Sequence, residues 1–179
     1  AADRLIAQGN AYRCYCTRER LADIREVQQR EKRSIGYDRH CKSLTGEQRM
    51  DLDAEGAPSV VRFAMPESGT TEVNDLIRGQ VEWQNELVDD FVLLKSDGFP
   101  TYHLAVVVDD HLMEISHVLR AEEWLSSTPR HLQLYQAFDY PPPRFGHLPM
   151  ILGPDRSKLS KRHGATSIME YREAGYLPD

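Results

Sequence analysis

The spacing of apolar and polar positions changes character along the chain. Residues 3 to 8 carry the pattern of a helix end, stopped by Gly9-Asn10, and residues 11 to 15 then read as a short strand. Thr17 is a capping residue in front of residues 18 to 32, which are rich in Arg, Glu, Gln and Leu and place Leu21, Ile24 and Val27 at helical spacing. So few apolar positions predict a helix that is mostly exposed. A shorter helix is predicted from about 45 to 54, ending before Gly56 and Pro58. Residues 59 to 95 then take on strand character, at 60 to 63, 71 to 76, 81 to 83 and 90 to 94, with turns at Gly69, Gly79 and Ser96-Asp97-Gly98. From Tyr102 the two periods alternate: a helix to about 113, a strand from 116 to 119, a helix to about 138 and a strand from 145 to 152. Such alternation predicts a parallel sheet with crossover helices. Pro141-Pro142-Pro143 is a stiff connector into the last strand, and a polar loop from 153 to 164 leads to a final helix, 167 to 174, closed by Gly175.

Composition narrows the class. With 40% hydrophobic and 28% charged residues in 179, the chain has the balance of a soluble globular protein of one or two domains. It has no run of about 18 apolar residues and no basic segment leading into an apolar one at its start, so a cytosolic protein with no membrane partner is expected. It starts at Ala1 and stops at Leu177-Pro178-Asp179, and is read as a piece of a longer protein. The net charge of −6 argues against gripping nucleic acid with the whole surface. Basic residues bunch at Arg25, Arg30, Lys32, Arg33, Arg39 and Lys42, and again at Arg156, Lys158, Lys161 and Arg162. Each bunch is either a local anion site or a solvated face.

Two constellations carry chemistry. Lys158-Leu159-Ser160-Lys161-Arg162, followed by His163-Gly164, stands in a loop after an apolar strand. Two lysines three apart among small or flexible residues can bring two ammonium groups onto nucleotide phosphates as charge develops during transfer. A plain basic loop would read the same. The other constellation is Cys14 and Cys16, two apart, with Cys41 following Tyr37 and His40. In a cytosolic chain this spacing points away from disulfides and toward three thiolates on a tetrahedral zinc ion. The fourth ligand is open: His40 is the chemically better neighbour, Tyr37 also stands close, and Ser43 lies where a His could have served. Three unligated, partly buried thiols are the competing reading.

Residues 158–162 are similar to the second signature of the class I aminoacyl-tRNA synthetases, Lys-Met-Ser-Lys-Ser, with Leu for Met and Arg for the final Ser. Residues 89–98, 100–105, 107–113 and 121–125, then Ser127-Thr128-Pro129 and His147-Leu148-Pro149, resemble glutamyl-tRNA synthetases, so the resemblance covers essentially the whole chain. It implies an α/β architecture: the second half of a class I nucleotide-binding, Rossmann-like parallel-sheet fold, with an α+β insertion that binds the tRNA acceptor stem. Residues 1–11 would end the first half of that fold, 12–95 would form the insertion with the candidate zinc site, and 96–179 would form the second half with the signature loop. The implied activity uses ATP, with Mg2+, to activate L-glutamate as glutamyl-adenylate and passes the acyl group to tRNA(Glu), in a parent enzyme that is a monomer.

The same resemblance implies residue roles. Tyr102 would sit beside the amino acid, and Arg120 would hold one of its carboxylates. Glu123, Trp124, Lys158, Ser160, Lys161 and Arg162 would border the ATP, with Lys158 and Lys161 catalytic and Lys161 acting on the transition state. The plain alternatives are Tyr102 as a core aromatic, Arg120 as an ion-pair partner of Glu122 or Asp109, and Trp124 as packing. Some bacterial glutamyl-tRNA synthetases, and the related glutamyl-queuosine tRNA synthetases, carry zinc in this insertion on a similar cysteine set, and Tyr37 resembles a ligand of the second group. The first class I signature, His-x-Gly-His, does not occur in the chain, which implies that the isolated chain is inactive. Two rival functions remain, a glutamyl-queuosine tRNA synthetase and a non-catalytic, zinc-stabilised RNA-binding module. Residues 96–103, Glu122-Glu123-Trp124 and residues 161–164 are closer to the synthetases proper.

Overall fold

The computed structural model describes residues 1–152, 157 and 168–177, with the side chains of 168 and 170 excepted. Helix α1 (Ala2–Ala7) ends at Gly9, whose φ of +77° turns the chain into strand β1 (Ala11–Cys14). Helix α2 (Arg18–Arg30) starts where the Thr17 hydroxyl accepts from the Arg20 N–H, and it buries no residue, as its sparse apolar positions predict. Helix α3 (Gly46–Ala54) opens on a reciprocal cap between Thr45 and Gln48. Strand β2 (Val60–Phe63) then lies antiparallel between β1 and β5 (Val92–Leu94). Between them come β3 (Thr70–Asp75) and β4 (Gly79–Gln84), a separate antiparallel hairpin.

The second part is helix α4 (Tyr102–Leu112), strand β6 (His117–Ala121), a short 3-10 stretch at 122–127, helix α5 (Thr128–Ala137) and strand β7 (Arg144–Leu148). Strands β6 and β7 run parallel, so α5 is the crossover that the alternating pattern predicts. Helix α4 is not one, because β5 before it belongs to the antiparallel sheet. The helix expected to reach 138 unbroken is split at Thr128-Pro129: proline has no N–H to give and seeds a first turn instead. The last strand stops at Leu148 rather than 152, since Pro149 cannot continue a ladder. Helix α6 (Ile168–Glu173) falls within the predicted final helix, and most of the predicted 153–164 loop lies outside the described residues.

One core joins both parts. Leu5, Val61, Phe63, Met65 and Leu93 pack with Leu104, Val107, Leu134, Tyr135 and Phe138 in a single buried cluster. Residues 12–95 therefore share their apolar interior with α4 and α5. The hairpin is fastened to the parallel pair: the Leu76 N–H donates to the Phe145 carbonyl at 2.8 Å, across from β7. A Cβ at Gly146 would come 2.8 Å from Leu119 Cδ2 on the neighbouring strand β6, so the absence of a side chain there is what leaves room for Leu119, while the hairpin residues Leu76 and Ile77 would stand at ordinary contact distance. Tyr12, Cys14 and Cys41 form a second, smaller buried cluster at the far end of β1.

Candidate active site and metal centre

Arg120 stands near the end of β6, in register with His147 on β7. Its Nε donates to His147 Nε2 at 3.0 Å, and Nη1 meets His131 Nδ1 at 3.4 Å. Nη2 donates to the Trp124 carbonyl at 3.2 Å and to Thr128 Oγ1 at 3.0 Å. Every one of these acceptors is neutral. Among the described residues no ion pair includes Arg120. Glu122, a suggested partner, pairs with Arg78 instead. Burial lowers the Arg120 pKa from the usual guanidinium value, with the Tyr102 phenol the foremost opposing influence. A half-buried cation without a carboxylate is an unbalanced charge that an incoming anion would balance. A guanidinium has five N–H donors; with these four bonds made, an anion would meet the remaining one or replace a long contact such as that to His131.

Around this cation the structure gathers aromatic rings. Tyr102, the first residue of α4, lies with its ring 5.1 Å from that of Trp124 and 5.8 Å from those of His103 and His131. Tyr102 is 48% exposed and Trp124 39%, so neither is core packing. Glu123 is exposed in the same 3-10 stretch as Trp124. Tyr102, Arg120 and Trp124, chosen from sequence far apart on the chain, thus form one bowl open to solvent. Lys158, Ser160, Lys161 and Arg162 lie outside the described residues.

Sequence reasoning missed what holds Arg120. His147 is fully buried, and its Nδ1 lies 2.5 Å from Asp75 Oδ2 at the end of β3. His131, 1% exposed, continues from the guanidinium to His103, Nε2 to Nδ1, at 3.0 Å. Burial is the leading cause that lowers His131 to about 3 and His103 to about 4, with nearby arginine charges adding to it. Both rings are therefore neutral. For Asp75, burial acts upward, but hydrogen bonds from His147 and from the backbone N–H groups of Arg78, Ile77 and His147 outweigh it and bring the carboxyl to about 2. One signal was available: Thr71, Val73 and Asp75 occupy alternate positions of β3, so the period of the strand turns Asp75 inward.

The cysteines converge. The sulfurs of Cys14, Cys16 and Cys41 all lie within 4.8 Å of one another, in free thiol form, with 3.5 Å between those of Cys16 and Cys41. The Tyr37 hydroxyl is 3.3 Å from Cys14 Sγ and 3.4 Å from Cys16 Sγ, and it accepts from the Cys41 N–H. Tetrahedral zinc with bonds of about 2.3 Å sets sulfurs roughly 3.8 Å apart, so the donor set fits that ion. His40 is exposed and outside the group. Cations surround it: Arg20 Nη1 donates to Cys16 Sγ at 3.3 Å, and the Arg62 guanidinium, 7% exposed, lies 4.0 Å over the Tyr37 ring. The Cys14 thiol is drawn down to about 4, first by its hydrogen bond with Cys41, while that bond and burial push Cys41 up. A thiolate beside a retained proton is what a metal ion would find and displace.

Comparison with known proteins gives one consistent result. The family described as tRNA synthetases class I (E and Q), catalytic domain, matches residues 1–179. The glutamate–tRNA ligase of Dehalococcoides mccartyi strain 195 is 62% identical over 179 residues, which are 100% of this chain and 36% of that protein. The glutamate–tRNA ligase of Moorella thermoacetica is 57% identical over 178 residues, 99% of this chain and 36% of that protein. A crystal structure of a glutamate tRNA ligase from Elizabethkingia meningosepticum, in complex with its amino acid, superposes with a TM-score of 0.83 at 37% identity, covering 99% of this chain and 41% of that one. The chain thus spans little more than a third of the length of these relatives. No helix among the described residues is long and apolar enough to cross a membrane. With a match along its whole length and the α/β fold of its solved relatives, this chain belongs to the catalytic domain family of the class I tRNA synthetases for glutamate and glutamine.

Proposed function

We propose that the protein carrying this chain is a glutamate–tRNA ligase, which activates L-glutamate with ATP and Mg2+ and transfers it to tRNA(Glu). The observation that carries the reading is Arg120, a half-buried cation with no carboxylate partner among the described residues, set in an aromatic bowl with Tyr102 and Trp124. A dicarboxylic amino acid supplies the missing anion. Tyr102 would lie along the substrate and Arg120 would hold one carboxylate. Trp124, Glu123, Lys158, Ser160, Lys161 and Arg162 would border the nucleotide, the two lysines acting on its phosphates. Residues 12–95 would present the acceptor end of the tRNA, and 96–179 would carry the activation chemistry. A module that only bound RNA would have no use for this amino-acid bowl.

Cys14, Cys16, Cys41 and Tyr37 would hold a structural zinc ion in this reading. Its contribution is to stabilise the segment between β1 and α3; it takes no part in the reaction.

The test is Arg120→Lys in the full-length protein, followed by ATP–pyrophosphate exchange at varied glutamate. An ammonium cannot replace the planar guanidinium, which reaches His147, Trp124 and Thr128 at once and still offers a donor. Glutamate affinity should fall at least about tenfold, roughly 1.4 kcal/mol. Near-normal glutamate dependence would show that Arg120 is structural and would remove the main support for this reading.

A further inference from the structure

The donor and acceptor roles in the polar array behind Arg120 are fixed by its geometry. Asp75 Oδ1 accepts from the backbone N–H groups of Ile77, Arg78 and His147 at 3.0, 2.9 and 3.1 Å. Its other oxygen, Oδ2, faces His147 Nδ1 at 2.5 Å, and both side chains are essentially sealed from solvent. An ionised carboxylate only accepts, so Nδ1 of His147 carries the proton. In the neutral ring Nε2 is then an acceptor, as Arg120 Nε requires of it at 3.0 Å. The same logic continues beyond the cation. Arg120 Nη1 can only donate to His131 Nδ1, so the His131 proton sits on Nε2 and points at His103 Nδ1. Donor and acceptor roles are thus fixed along the whole array, with donation running outward from Arg120 to His147 and Asp75 on one side and to His131 and His103 on the other.

We infer that Asp75 is a positioning residue for Arg120: by fixing the His147 tautomer it orients the guanidinium edge that faces Tyr102 and Trp124. This rests on the reading that Arg120 holds a ligand carboxylate. The role is separable from the part Asp75 plays in the turn. In Asp75→Asn the amide oxygen keeps the three backbone N–H groups, and the amide nitrogen takes the place of Oδ2. An NH2 there donates to His147 Nδ1, which moves the ring proton to Nε2 and sets it against the Arg120 Nε–H. Two donors then face each other in a buried site, a conflict relieved only by displacing the guanidinium.

The test uses the full-length protein. Nitrogen-15 NMR of the histidine side chains in the unsubstituted protein should show His147 as the Nδ1–H tautomer; an Nε2–H ring there would overturn the inference without any variant. In Asp75→Asn the signal should change to Nε2–H, and KM for glutamate in ATP–pyrophosphate exchange should rise about tenfold while KM for ATP stays within about twofold. An Asp75→Asn protein with the switched tautomer and unchanged glutamate KM would overturn the positioning role. If Arg120→Lys also left glutamate KM unchanged, the fault would lie with the assignment of Arg120; if Arg120→Lys alone raised it, only the relay from Asp75 would be wrong. A rise in glutamate KM with the tautomer unaltered would also count against the inference, since the mechanism requires the switch.

Discussion

Tyr37 stands four residues before Cys41 and joins the cluster through its hydroxyl, whereas His40, one residue away from that cysteine, faces solvent. The reason is local. Arg39 takes a left-handed φ of +57°, and the single 3-10 turn that follows buries Cys41 while leaving its neighbours outside. The three cysteines were legible from spacing, but which neighbour, Tyr37 or His40, lies against them was not, because it depends on this one backbone angle. Tyr37→Phe removes the hydroxyl and should weaken zinc binding by about tenfold or more in competition with a chromophoric chelator, while His40→Ala leaves it unchanged. The opposite ranking would make His40 the ligand. For Lys161, named from its motif alone, the expectation is kinetic: Lys161→Ala should cut the exchange rate constant far more than it weakens glutamate binding, because the ammonium acts on charge that appears in the transition state. An unchanged rate constant with a raised KM for ATP would make it a ground-state binder.

Elements were most legible where a side chain announces an end. Thr17 and Thr45 marked two helix starts correctly, since a hydroxyl cap is a local interaction that needs no tertiary partner. Strand edges and pairings were less so. The residues of β5 read as a strand, yet nothing local says that they join β2 in an antiparallel sheet instead of leading the parallel pair. The element between β1 and α3 has a further property. Helix α2 buries no residue, and the small cluster of Tyr12, Cys14 and Cys41 is separate from the main core. Little apolar surface holds this segment, so a bound metal would supply much of its order. Chelation of the metal-loaded protein should therefore speed amide exchange in residues 12–43 while β6, α5 and β7 keep their protection. Uniform loosening of both regions would show that the metal supports the whole fold, and no change would reduce the thiols to packing.

At the scale of the molecule, one buried polar layer crosses the junction between the hairpin and the parallel pair, and it makes stability depend on pH. His131 and His103 lie depressed to about 3 and about 4, because burial, with Arg120 and Arg130 nearby, opposes a second positive charge. A histidine in the unfolded chain titrates near 6.5. Between these values the unfolded chain binds more protons than the folded one, so stability rises with pH in that window. The contribution is complete above about 6.5 and is lost as pH falls toward 4 and then 3. Asp75, held at about 2, adds stability that is present above about 3.8 and vanishes only at lower pH, so it takes no part in the first stage of acid loss. At about 1.4 kcal/mol per pKa unit, His131 alone removes roughly 2 kcal/mol between pH 6.5 and 4.5, an unfolding midpoint lower by on the order of 5 °C, and His103 acts in the same direction. Thermal unfolding followed by circular dichroism across that range should show the fall, and His131→Gln should flatten it. Proton NMR of the histidine rings gives the direct check: His131 and His103 should remain neutral at pH 5, and a titration of either near 6.5 would mean that the layer is open to water and does not stiffen Arg120.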